Sequence, residues 1–184
     1  MPTPTQILKH EHRIIERALH ALDGMCQKLE HSEPVPPQAL SQVVDFIRIF
    51  ADGCHHKKEE THLFPTLERN GVPREGGPVG MMLYEHEMGR ALVAEMDQAA
   101  KAYQAGDAEA ADRFVQAGRR YIQLLTQHIF KEDNILFRIA EEALDDPTMI
   151  SLEKAFEEIE AETGPLTHEQ YERIAEEMEK AWAA

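Results

Sequence analysis

Apolar residues recur at intervals of three and four along almost the whole chain, and no stretch shows the strict alternation of a half-buried strand. This periodicity predicts a first helix from about Thr3 to His31, with Pro4 suited to a first helical position. Ser32-Glu33-Pro34-Val35-Pro36-Pro37 ends it. A second helix is predicted over about 38–69 and stopped by Asn70-Gly71. A third covers about 79–104 and ends at Ala105-Gly106. Asp107 is the expected cap of a fourth, which runs to about Leu144. Four long helices with short links predict an all-α, up-down-up-down bundle over residues 1–144. Asp145-Asp146-Pro147 then breaks the pattern. Two additional C-terminal helices follow, at about 148–162 and 168–183, separated by Thr163-Gly164-Pro165-Leu166 and capped by Thr167. Phe156, Ile159, Tyr171, Ile174, Met178 and Trp182 give this 145–184 extension apolar stripes, to be packed on the bundle, a second subunit or another protein partner.

Charge narrows the function. The 184 residues hold 34 acids against 19 bases, a net charge of −15. A surface of that sign repels phosphate backbones, which excludes nucleic-acid binding. The extension carries twelve of the acids and three of the bases, so 12 − 3 leaves it −9 of the total. No run of about 18 apolar residues is present to span a membrane. Two cysteines, Cys26 and Cys54, cannot form a disulfide framework, and the N-terminus lacks the pattern of a secretory signal. The expected location is the cytoplasm.

The ten histidines are the unusual feature. Helix two contains His55-His56-Lys57-Lys58-Glu59-Glu60-Thr61-His62-Leu63-Phe64. Helix four contains His128-Ile129-Phe130-Lys131-Glu132-Asp133-Asn134-Ile135-Leu136-Phe137. Both read H-x-x-K-E-[ED]-x-x-L-F. A His and a Glu four apart share one helix face. Tyr121, Leu125, Ile135 and Ile139 recur at helical spacing around His128 and Glu132, which turns that pair toward the core. His12, His55, His86 and His128 each lie about twenty residues from a turn at the same end of the bundle, roughly 30 Å at ~1.5 Å per residue. His12, His55, Glu59, His86, His128 and Glu132 therefore reach one level. Six nitrogen and oxygen donors there suit two metal ions, with iron favoured and manganese or zinc also fitting. The paired Glu-x-x-His motifs of ferritin-like bundles are absent.

The register of helix two is contested. Apolar periodicity prefers His56-Glu60, whereas the repeat aligns His55 with His128 and Glu59 with Glu132. The repeat is the firmer guide. It leaves His56 pointing to the surface or to a polar partner outside the ligand set. His10 lies far around the helix from His12 and is expected to be exposed, and His20, His31 and His168 are expected on the surface. His62 is a weaker candidate for lining the site. Tyr84, Tyr121, Met81, Met82 and Met88 are expected in the core, and Cys54 is expected to be a buried packing thiol.

At these residues the sequence resembles the hemerythrin-like family, the HHE cation-binding domain. The matching pieces are Glu11-His12, His55-x-x-x-Glu59 followed by Leu63-Phe64-Pro65, Glu85-His86, and His128-x-x-x-Glu132 followed by Leu136-Phe137. They span about residues 5–140. The resemblance implies a non-haem di-iron site in which both carboxylates and an oxo or hydroxo group bridge the irons. It implies the ligands His12, His55, Glu59, His86, His128 and Glu132. Arg90 stands where oxygen carriers of the family have a fifth histidine, and His128-x-x-x-Glu132 replaces their His-x-x-x-x-Asp. The pattern is closer to four-His, two-Glu members, some of them linked to nitric-oxide and oxidative stress or iron–sulfur repair. The implied function is binding of, or reaction with, dioxygen, nitric oxide or peroxide. The alternative is a non-enzymatic sensor of oxygen, redox state or iron that signals through the C-terminal helices.

Overall fold

The computed structural model describes residues 2–164 and 166–184, so Pro165 of the predicted 163–166 link lies outside the described residues. These residues form α1 (Pro4–Glu30), α2 (37–69), α3 (Pro78–Gln104), α4 (110–143), α5 (Asp146–Glu162) and α6 (His168–Trp182), with no strand among them. The first four make the up-down bundle. Thr3 opens α1 with a reciprocal cap, its hydroxyl accepting the Gln6 N–H while the Gln6 side chain accepts the Thr3 N–H. Thr167 and Gln170 repeat the device at α6, and Asp145 caps α5. Asp107 does not cap α4 as expected. Its carboxylate accepts the N–H of Glu109, a local turn that delays the helix to Ala110. No helix among the described residues is long and apolar enough to cross a membrane.

Two long helices contain wide turns. In α2, Ile47–His56 and Glu59–Leu63 are π-helical, and in α4 so is Glu132–Leu136. The N–H groups of Lys57, Phe64 and Phe137 donate to the carbonyls of Asp52, Glu59 and Glu132, five residues back instead of four. Each wide turn rotates the residues after it against an ideal wheel. Ile135, expected inside, is therefore half exposed, while Leu136 and Phe137 are buried. Of the methionines near His86, Met82 is buried but Met81 and Met88 are exposed, as is Tyr84.

The core is divided. One apolar cluster gathers around Leu22, Phe50, Met96 and Phe114 toward the 31–36 and 105–109 turns. A second gathers around Leu8, Phe64, Phe137 and Phe156 at the opposite end. A buried polar layer lies between them. The extension packs on its own bundle. Phe156, Ile159, Tyr171 and Met178 are buried, and the end of α6 crosses α1 so closely that a Cβ at Gly24 would collide with the Trp182 backbone. Its acids meet bases on α1, as in Arg17–Glu176 at 2.5 Å and His20–Glu179 at 2.7 Å.

Candidate metal centre

The polar layer is built by all four bundle helices. His12, His55, His56, Glu59, His86, His128 and Glu132 are buried there, and their donor atoms fall into two overlapping sets. His12, His55, Glu59 and Glu132 form one; His56, Glu59, His86 and His128 form the other. Within each set the donors lie within 4.8 Å of one another. Opposite ligands on bonds of about 2 Å stand about 4 Å apart, so a small inward adjustment closes either set on a cation. Glu59 faces both sets, with Oε1 3.6 Å from His55 Nε2 and Oε2 3.4 Å from His86 Nε2. Glu132 Oε2 stands 3.1 Å from His12 Nε2 and 3.2 Å from His128 Nε2. The Nε2 atoms of His55 and His56, both oxygens of Glu59 and Oε1 of Glu132 have no hydrogen-bond partner. Each such orphan costs about 1–3 kcal/mol in a dry interior. Their convergence fits a pair of cations.

The six residues expected from the sequence are thus brought together, and His56 joins them. Its Nδ1 meets a polar partner, Asp52, at 3.3 Å. Its Nε2 turns inward, and its ring stacks on His86 at 3.8 Å. The wide turn of α2 ends at His56, and consecutive histidines face neighbouring sets; of the two competing carboxylates, Glu59 lies in both sets and Glu60 in neither. His10 is exposed and His62 enters neither set.

The family model for the hemerythrin HHE cation-binding domain matches residues 3–140. The chain belongs to that family. It is 26% identical over 158 residues to the uncharacterized proteins Mb2018 of Mycobacterium bovis and Rv1995 of Mycobacterium tuberculosis. The match covers 86% of this chain and 61% of each relative, so the chain spans less than two thirds of their length. No solved structure matches it.

The rest of the repeat supports the centre of this hemerythrin domain. Each converging imidazole offers Nδ1 to a carboxylate, which leaves the Nε2 lone pair free for a cation. His55 meets Glu11 at 2.8 Å and His128 meets Glu85 at 2.9 Å. His12 meets Asp133 and His86 meets Glu60, both at 2.7 Å. Every position of H-x-x-K-E-[ED] now has a task. Its Lys (Lys58, Lys131) holds the Glu of the Glu-His dipeptide on the neighbouring helix, Glu11 or Glu85. That Glu orients the His of the motif, and the final acid reaches the other dipeptide, Glu60 orienting His86 and Asp133 orienting His12. The repeated spacing was the signal for these supporting groups. His56 has no such signal, because the repeat puts Ile129 in its place.

Arg90 is the support for the side that departs from the repeat. Its guanidinium donates to Asp52 at 3.0 Å and to Glu60 at 2.7 Å, the carboxylates of His56 and His86. Arg90→Gln is expected to weaken the His56–His86–His128 set roughly 10–100-fold and spare the other. A two-step zinc titration checks this, and equal weakening of both steps would contradict it.

Glu11 joins the centre to the extension. His168, expected on the surface, donates Nε2–H to Glu11 at 3.1 Å, and Glu160 accepts from Lys58 at 2.6 Å. Glu11, Glu160 and His168 resemble a third cation site, but the buried Lys58 ammonium already fills it. Lys58→Met leaves the buried Glu11 carboxylate with imidazole donors alone and is expected to cost roughly 3 kcal/mol in chemical denaturation.

Protons compete for the centre. Burial, together with Glu132 and Glu11 nearby, holds the Glu59 carboxyl well above the usual range. Burial also lowers His55 to about 3, assisted by His12. Burial opposes charge on His128, but Glu132 and Glu85 prevail and push it up to about 9. Without a metal, His128 therefore holds a proton at neutral pH and Glu59 resists ionisation, and a cation must overcome both. Zinc affinity is expected to rise between pH 6 and pH 9 as the His128 proton leaves. A flat profile by competition titration would count against the arrangement.

Proposed function

We propose that this chain is a non-haem di-iron protein that binds or reacts with dioxygen, nitric oxide or peroxide. His12, His55, Glu59 and Glu132 hold one iron. His56, His86 and His128 hold the other, with Glu59 bridging. The observation that carries the reading is Glu59, fully buried, unpartnered, with one oxygen toward each donor set. Mixed imidazole and carboxylate donors favour iron, and manganese or zinc also fit. When bound, an oxo- or hydroxo-bridged iron pair supplies the redox chemistry. The chain orients the donors through five Nδ1–carboxylate contacts and limits water. The Phe137 ring stacks on His12 at 5.5 Å and the Phe64 ring on His86 at 5.8 Å. Each set offers four donors, so each ion would keep open positions for a small ligand. Both cysteines are free and buried, which suits a reducing cytoplasm.

Metal analysis after anaerobic iron reconstitution, with an optical spectrum of the oxidised protein, tests the reading. About two irons per chain and near-ultraviolet charge-transfer absorption are expected. One zinc per chain and no iron-dependent spectrum would overturn it.

A second reading, a sensor, is favoured by the contact of Glu11 with both His55 and His168. Metal loss on the His12–His55 side would then loosen α5 and α6. Faster amide exchange in those helices on chelation, without peroxide or nitric-oxide turnover, supports it. Unchanged exchange counts against it.

A further inference from the structure

A cavity of about 280 Å³ lies between α2 and α3, beside the His56–His86 side of the centre. Arg48, Ala94 and Gln98 are exposed at its mouth, and His56, His86 and Tyr121 lie at its floor. The di-iron reading needs room only for a diatomic or peroxide, which leaves most of this space without a task. We propose that the cavity is a separate binding site for an uncharged aromatic molecule of about phenol size, seated against the His56–His86 ring pair. Binding stands on the chain's own geometry. Only the effect of the occupant on the irons rests on the di-iron reading.

Size, charge and lining each constrain the occupant. A cavity of ~150 Å³ already accepts benzene, so a diatomic would leave most of this one empty. The charged groups lining it neutralise one another. Arg48 pairs with Asp97 at 3.2 Å and Arg90 with Asp52 at 3.0 Å, so neither an anion nor a cation finds a free counter-charge. Metal on the far side of His56 and His86 would repel a cation further. The aromatic preference comes from the imidazoles of His56 and His86, stacked at 3.8 Å, and from the Tyr121 ring. The Tyr121 hydroxyl makes no hydrogen bond among the described residues, and burial raises its pKa, so it stays a protonated donor for an oxygen on the occupant. Ile47 and Val93 complete an apolar wall. Gly89 keeps the space open. A Cβ there would stand in ordinary contact, 3.6 Å from the Tyr121 ring and 3.8 Å from Leu125, so a longer side chain crowds the cavity floor around Tyr121. The occupant touches the rings that hold the second ion, so the ion feels its presence without being ligated by it.

The test is ¹⁹F NMR of 4-fluorophenol with the full chain loaded with zinc and, separately, with iron. A saturable shift is expected in both, with extra broadening beside paramagnetic iron. Gly89→Leu replaces a helix-interior glycine by a better helix former. With metal content and helicity unchanged, it should weaken binding at least about tenfold. Tyr121→Phe should weaken 4-fluorophenol but not fluorobenzene, and 4-fluorobenzoate should not bind. No saturable shift, or undiminished binding in Gly89→Leu, overturns the proposal. If 4-fluorophenol binds to the zinc form while iron fails to load, the cavity stands and the di-iron reading falls. If iron loads as a pair and 4-fluorophenol does not bind, the cavity proposal falls alone.

Discussion

Removing the metal is expected to lower the melting temperature by on the order of 15–30 °C. The polar layer separates two apolar clusters, so its cohesion decides whether the ends of the bundle hold together. Without cations, Glu59 must be neutral or unpaired in a dry interior, and His55 Nε2 and His56 Nε2 have no partner. At a free-ion level about a thousandfold above Kd, each ion adds about 4 kcal/mol to the folded state. Two ions at about 2–4 °C per kcal/mol for a chain of this size give the stated range. Calorimetry of loaded and chelated protein measures it. Coincident melting curves would show that the layer is stable on protons alone.

The second large effect concerns the neighbouring histidines of α2. His55→Ala and His56→Ala are each expected to cost one ion, and to cost different ones. His55 Nε2 lies in the set with His12 and Glu132, and His56 Nε2 in the set with His86 and His128. Loss of an imidazole donor should exceed the roughly 10–100-fold that removal of its supporting carboxylate costs. Each single variant should therefore retain about one metal per chain, and the double variant about none. Arg90→Gln should resemble a mild His56→Ala, because Arg90 supports that side. Full metal content in His56→Ala would return His56 to the role the repeat predicts for it, a ring held by a polar partner outside the ligand set.

Much of this was legible along the chain. Helix ends followed from local chemistry. Pro4, Pro147 and the glycines after α2 and α3 act within one or two residues of themselves, so position in the chain suffices. Asp107 was the exception, since two local bonds competed and the turn to Glu109 prevailed. The level of His12, His55, His86 and His128 followed from the uniform rise of a helix. Ile135 was misjudged, because the side a residue faces accumulates every departure from the ideal turn, and α4 contains a wide one.

The sequence by itself determined four helices, the extension, and the His and Glu residues that meet at one height, because spacing within a helix is a local property. The tertiary structure decided which carboxylate meets which imidazole: Glu11 with His55, Glu85 with His128, Asp133 with His12, Glu60 with His86. It also decided that His56 turns inward beside His86 under the hold of Arg90, and that α5 and α6 reach Glu11 and its partner Lys58 through Glu160 and His168. These are contacts between helices. They depend on rotation about each axis, which the π turns shift, and on the distance between axes, which the packing of the whole chain sets.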